Sequence, residues 1–102
     1  MSAARRSIVW SARARRDLTS IQDFIAEDDP SAAERWVDGL ASAVELAARL
    51  PNSGRIVPEL QRPEVRELVR GGYRIVYRVE SKRILVLTVF EGHMRLDASG
   101  LN

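Results

Sequence analysis

The stretch RELVRGGYRIVYRV, from Arg66 to Val79, alternates apolar and polar residues on both sides of two glycines. A period of two is typical of a strand with one buried face, and paired glycines favour a tight turn. The stretch therefore predicts a β-hairpin. It also carries an arginine at every fourth position: Arg66, Arg70, Arg74 and Arg78.

The length of the turn decides which side chains share a face of this hairpin. A two-residue Gly-Gly turn would place Arg66 opposite Tyr77 and mix charged with apolar residues. A three-residue turn, residues 70–72, separates them better, and we predict that register at the cost of Glu67 on the apolar side. It places Arg66, Arg74 and Arg78 together on one face, with Leu68 and Val76.

Two helices are predicted before the hairpin. Ser11 can cap the first, whose apolar stripe runs at helical spacing to about Glu27. The second starts at DDPSAAE, where Asp29 caps and Pro30 takes the first helical position. Short apolar strands are expected at SIVW, residues 7–10, and at ILVLTVF, residues 84–90, the latter in the interior of a sheet.

The element order β-α-α-β-β-β predicts an α+β fold in a single domain, residues 1–102. An N-terminal strand precedes an antiparallel helical hairpin, and a three-stranded antiparallel meander follows. We expect the helices to cover the Tyr77 face of the sheet, the arginine face to stay open, and a polar tail to begin at about residue 96.

Composition restricts the chemistry. The 102 residues include no cysteine and one histidine, His93, which excludes disulfides, thiolate metal sites and multi-histidine metal sites. Nucleotide-binding and zinc-protease motifs are absent, so no cofactor and no metal is predicted. The longest apolar run is too short to span a bilayer, so a cytoplasmic protein without membrane contact is expected.

Charge is segregated along the chain although the formal net charge is only +2. Residues 17–48 hold eight acids against Arg35 alone, whereas residues 51–102 hold nine bases against six acids. This asymmetry favours directed contacts with an anionic or acidic partner over a generally basic nucleic-acid coat.

Three residues near the predicted arginine face could perform acid–base chemistry. Glu59 and His93 could move protons in RNA cleavage while Arg74 stabilises charge on the phosphate. The alternatives are structural: Arg74 pairs across the strands with Glu67 or a neighbouring glutamate, and His93 is a solvated surface residue.

Four stretches of the chain resemble the RelE/ParE family of toxins from type II toxin–antitoxin modules. They are VWSARARRDLTSIQDFIAEDDPSAAERW, LPNSGRIVPEL, VRELVRGGYRIVYRV and ILVLTVFEGHMR. LPNSGR and YRIVYRV are the most specific, and the resemblance covers residues 7–95. It implies a helical hairpin on a small antiparallel sheet, which agrees with the fold expected from the residue patterns.

The resemblance implies one of two activities. RelE-like members are ribosome-dependent mRNA endonucleases, and ParE-like members poison DNA gyrase and so block replication. Arg74 matches a catalytic arginine of the endonucleases, Glu59 a glutamate of one subgroup, and His93 could match its histidine. The N-terminal half looks ParE-like, so the resemblance favours a gyrase inhibitor; the alternatives are an endonuclease and an inactive member that only binds antitoxin.

The resemblance also implies partners. A cognate, ParD-like antitoxin with an acidic, amphipathic C-terminal segment would fold onto the toxin in a hetero-oligomer. The target would be DNA gyrase or, alternatively, the ribosome with mRNA. Six residues are candidates for contacts with antitoxin or target: Arg55, Arg66, Arg74, Arg78, His93 and Arg95.

Overall fold

The fold places a helical hairpin against a five-stranded mixed sheet in a computed structural model that describes residues 4–101. The helices are α1 (Ala12–Asp28) and α2 (Pro30–Arg49), followed by one 3-10 turn at Pro51–Ser53. The strands are β1 (Ser7–Trp10), β2 (Arg55–Ile56), β3 (Val65–Arg70), β4 (Tyr73–Val79) and β5 (Arg83–Glu91). Their order in the sheet is β1-β5-β4-β3-β2, and β1 runs parallel to β5.

The two helices begin at the predicted caps. The Ser11 hydroxyl accepts a hydrogen bond from the backbone N–H of Ala14, and the Asp29 carboxylate accepts one from that of Ala32. Each cap satisfies a backbone donor that has no partner within its helix. Asp29 alone separates the helices, because α1 extends to Asp28, one residue beyond its predicted end at about Glu27.

The α+β class and the antiparallel meander β3-β4-β5 are confirmed. The sheet extends further than predicted because the two-residue strand β2 joins its β3 edge and β1 joins its β5 edge. Strand β5 is interior, between β4 and β1, which explains its apolar residues on both faces.

The predicted three-residue turn of the central hairpin is wrong. Arg70 pairs with Tyr73 across a two-residue turn, and Gly71 and Gly72 have φ angles of 55° and 83°. Two successive left-handed residues make the turn whose twist matches a β-hairpin. Arg66 therefore lies opposite Tyr77 on the helix side, away from Arg74.

Both faces of the sheet are covered. The helix side buries the larger core, which includes Leu40, Ile75 and Val86. On the other side the loop after β2 and the C-terminal tail cover a second core. Its buried members are Val57, Val65, Val76, Leu87, Leu96 and Leu101. The expectation of an open arginine face is therefore wrong, and the tail is anchored by two buried leucines.

Tyr77 joins the sheet to the segment after α2. It is 1% exposed, and its hydroxyl donates to the backbone oxygen of Pro51 at 2.7 Å and accepts from the N–H of Gly54 at 3.1 Å. A Cβ on Gly54 would lie 2.5 Å from this hydroxyl and 2.6 Å from the backbone oxygen of Glu67. Only glycine fits there, and this explains the glycine in the stretch LPNSGR.

We expect Tyr77→Phe to destabilise the fold by about 1–3 kcal/mol, because it leaves two buried backbone groups without their partner. Tyr77→Ala should cost about 3–5 kcal/mol, since it also opens a cavity under α2. Urea denaturation measures both. Tyr73→Phe is the matched control, because the Tyr73 hydroxyl makes no hydrogen bond to residues 4–101. Equal losses for the two phenylalanine variants would contradict the prediction.

Candidate functional site

Arg74 lies at the centre of the site, near the start of β4 on the face away from the helices. It is 6% exposed. Its guanidinium binds Glu59 through two hydrogen bonds of 2.8 and 2.7 Å, and its Nε donates to Glu67 at 2.8 Å. The guanidinium carbon lies 4.8 Å from the ring centre of Phe90. All sides of this cation are therefore engaged.

Glu67 is the second buried member of the cluster. It is 1% exposed, and it receives a 2.6 Å hydrogen bond from Arg55 in addition to those from Arg74. Isolated burial of a carboxylate is costly, but two guanidinium groups satisfy this one. Glu59, Arg74, Glu67 and Arg55 form an alternating, charge-neutral network, referred to below as the Arg74 network.

The Arg74 network holds the C-terminal tail in place. The Glu59 carboxylate accepts a 3.1 Å hydrogen bond from the N–H of Leu96, and Arg74 donates to the backbone oxygen of Met94 at 3.4 Å. Arg74, a buried cation, thus connects a strand, a loop and the tail. Further along the tail, Arg13 of α1 donates hydrogen bonds to the backbone oxygens of Asp97 and Ser99.

The network sets the proton affinity of its own groups. The hydrogen bonds from Arg74 lower the pKa of the Glu59 carboxyl to about 2, against the opposing effect of burial. The same contacts raise the pKa of Arg74. A carboxylate of such low pKa is a weak base at neutral pH, so this geometry does not favour proton abstraction by Glu59.

His93 lies apart from the network. It follows β5 in a turn, its side chain is 77% exposed, and its Nε2 is 3.3 Å from a carboxylate oxygen of Glu91. Neither Glu59 nor Arg74 is among its polar contacts within residues 4–101. The structure therefore brings together two of the three residues predicted for acid–base chemistry.

The remaining predicted contact residues reach the surface to different extents. The side chain of Arg55 is 62% exposed although it binds Glu67. Arg66 donates to the backbone oxygens of Gly54 and Pro63. Arg78 lies 3.6 Å from Glu80 and is half-buried. Arg95 is exposed in the tail.

The sequence pattern predicts Glu67 on the apolar, Tyr77 side of the hairpin, but the structure places it on the opposite face. Of the structural alternatives for Arg74, the structure shows the pairing with Glu67. An acid at an inward strand position, two residues diagonally from an arginine on the neighbouring strand, is the signal that identifies such a pair. The two-residue turn sets this diagonal, with Glu67 opposite Val76 and Arg74 opposite Val69.

An apolar cleft lies beside the network, between α1 and the ends of β4 and β5. It has a volume of about 310 Å³, and Phe24 and Met94 at its rim are 60% and 55% exposed. Within residues 4–101, no group of three or more His, Cys, Asp or Glu side chains could hold a metal ion. None of the helices in the same range is long and apolar enough to cross a membrane.

Residues 8–96 match the model of a protein family described as the ParE toxin of the type II toxin–antitoxin system, parDE. A putative toxin, Y4kP of Sinorhizobium fredii, is 38% identical over 94 residues, which are 90% of this chain and 94% of that protein. Toxin RelE3 of Caulobacter vibrioides is 30% identical over 82% of this chain and 91% of its own length.

Solved structures share the fold. A chain of the chromosomal ParDE system from P. aeruginosa superposes with a TM-score of 0.67 at 27% identity, over 84% of this chain and 95% of that chain. A chain of the toxin–antitoxin complex RelBE2 from Mycobacterium tuberculosis gives a TM-score of 0.53 at 23% identity, over 86% and 99% of the two chains. The latter likeness concerns the fold alone.

We expect Arg74→Met to destabilise the fold by about 3–5 kcal/mol, because Glu67 would remain buried without its main partner. The double variant Arg74→Met/Glu67→Leu should recover most of this loss, since it removes both buried charges. Arg62→Met, at an exposed arginine of the neighbouring loop, is the control and should change stability by less than about 0.5 kcal/mol. Thermal and urea unfolding measure these effects; an Arg74→Met variant as stable as the control would contradict a structural role.

The lowered pKa of Glu59 predicts a specific acid sensitivity. Its folded-state pKa is below the ordinary value of 4.5, so its contribution to stability is present above pH 4.5 and is lost as the pH falls towards 2. Glu59→Gln should therefore flatten the pH dependence of the unfolding free energy in this window. Glu64→Gln, at an exposed carboxylate of the same loop, should leave it as in the wild type. Identical profiles for the two variants would exclude the Glu59–Arg74 pair as the cause.

Proposed function

Because the chain belongs to the ParE toxin family of type II toxin–antitoxin systems, we propose that it inhibits DNA gyrase and does not cleave mRNA. The names of its relatives include both ParE and RelE, so the names alone do not distinguish the two targets. The burial of Arg74 supports gyrase as the target.

The burial of Arg74 carries the proposal. An arginine that stabilises charge on a phosphate must present its guanidinium to the substrate. Here Glu59 and Glu67 occupy that guanidinium, and the tail covers it through Met94. Cleavage by these residues would require the network and the tail contact to open first.

The properties of the candidate acid and base, His93 and Glu59, also argue against an endonuclease. Its low pKa makes Glu59 a weak base, and no hydrogen bond or ion pair joins the exposed His93 to it within residues 4–101. General acid–base catalysis needs two groups that both reach the reacting atoms. A toxin that acts by binding needs no such pair, which supports gyrase as the target.

The proposed partner is a cognate antitoxin. Structures of the fold come from toxin–antitoxin systems, and the chain offers an apolar cleft rimmed by exposed Phe24 and Met94. An amphipathic segment could fill this cleft with apolar anchors, while its acids meet Arg55, Arg66 or Arg95 at the surface. A hetero-oligomer of toxin and antitoxin follows from such a contact.

Purified gyrase and purified ribosomes test the proposed target directly. We expect the full-length protein to trap cleaved DNA with gyrase, to leave ribosome-bound mRNA intact, and to be neutralised by the product of a short adjoining gene. His93→Gln should retain gyrase inhibition. The reverse pattern would identify an endonuclease: the wild type cleaves mRNA without affecting gyrase, and His93→Gln loses the cleavage. Harmless expression together with no effect in either assay would identify an inactive family member.

A further inference from the structure

Helix α1 carries its charges in the orientation that its own dipole disfavours. The N-terminal end of a helix is partially positive, so acids stabilise it and bases destabilise it. In α1 the first turn holds no acid and the last turn holds no base. Its first five residues include Arg13, Arg15 and Arg16, and its last six include Asp23, Glu27 and Asp28.

Arg13 has a structural explanation, but its two neighbours do not. Arg13 holds the tail through the backbone oxygens of Asp97 and Ser99. Arg15 and Arg16 are exposed and make no ion pair or side-chain hydrogen bond within residues 4–101. A pairing acid is also missing from the helix positions three and four residues away. Those positions hold Ser11, Ala12, Arg13, Leu18, Thr19 and Ser20.

These two arginines border a shallow depression on the outer face of α1. Its volume is about 500 Å³, and its floor consists of the small residues Ala12, Thr19 and Ser20. Small side chains allow a ligand to approach the helix closely. The two hydroxyl groups can donate hydrogen bonds between the two guanidinium groups.

The lining identifies the chemistry of the ligand. Guanidinium forks and hydroxyl donors fit phosphate oxygens, which take most of the hydrogen bonds in protein–DNA contacts. An acidic amphipathic peptide would also need a pocket for an apolar anchor. The depression on α1 has no bulky apolar side chain, whereas the cleft beside Phe24 and Met94 has several.

We propose that the Arg15–Arg16 face of α1 binds the phosphate backbone of duplex DNA. The inference rests on the proposed function, in which the target enzyme holds a DNA duplex. The acids at the opposite end of α1 repel a backbone that approaches there, so the helix meets DNA with its N-terminal half. The reversed charge order of α1 then reflects binding, and the fold retains it at some cost in stability.

The experiment compares two double variants of the full-length protein, Arg15→Gln/Arg16→Gln and Arg62→Gln/Lys82→Gln. Each removes two exposed positive charges. Fluorescence anisotropy with a short labelled duplex DNA, over about 50–200 mM salt, measures affinity and its salt dependence. We expect the α1 variant to bind at least about tenfold more weakly at low salt. Its salt slope should fall by about 1.8, because each phosphate contact contributes about 0.9.

The melting temperature distinguishes a binding role of Arg15 and Arg16 from a structural role. The α1 variant should melt at the same temperature as the wild type or higher, because it removes two cations from a positive helix end. A lower melting temperature would assign Arg15 and Arg16 to the fold.

Three binding results would overturn the proposal. They are unchanged DNA affinity in the α1 variant, equal losses in both double variants, and equal or better competition by single-stranded RNA or by an acidic peptide of the same charge.

The gyrase assay separates this proposal from the proposal that gyrase is the target. If the wild type and the α1 variant trap cleaved DNA equally, the α1 contact fails and the gyrase target stands; if the wild type traps none, the gyrase target fails.

Discussion

The ion pairs of Arg74 with Glu59 and Glu67 hold together strand β4, strand β3 and the loop after β2. Glu67 is buried on the sheet face that carries the second core, where an unpaired carboxylate would be strongly disfavoured. Arg74 makes that position possible, and the same guanidinium holds the loop through Glu59 and the tail through Met94. The sheet face away from the helices is therefore covered by the charge-neutral Arg74 network as well as by apolar side chains.

This arrangement changes how the arginine row of the hairpin is interpreted. Arginines along exposed strands would form a continuous basic surface for an anionic partner. In the folded chain, Arg66 turns to the helix side and Arg74 is buried, so the row is divided between two faces. Arg74, for which the resemblance implied a catalytic position, makes structural ion pairs with Glu59 and Glu67 in the folded chain.

The surface available for recognition lies mostly elsewhere. One part is the apolar cleft with Phe24 and Met94, which suits a folded peptide segment. Another is the N-terminal half of α1, where Arg15 and Arg16 carry charge that stabilises neither the helix nor any neighbour within residues 4–101. Two chemically different surfaces on one small domain would allow an antitoxin and a DNA-bound target to be recognised by different residues.

Local residue patterns were sufficient to predict the helices and strands of this chain. Ser11 and Asp29 fix the helix starts, and alternation fixes the existence of the strands, because caps and periodicity depend on residues a few positions apart. The α+β class followed from element order, and the toxin family followed from the resemblance. The hairpin register, the burial of Arg74 and the course of the tail became known only from the folded chain. These depend on a diagonal ion pair and on contacts with Glu59 and Leu96, which are far apart in the chain, and local patterns do not encode energies between distant residues.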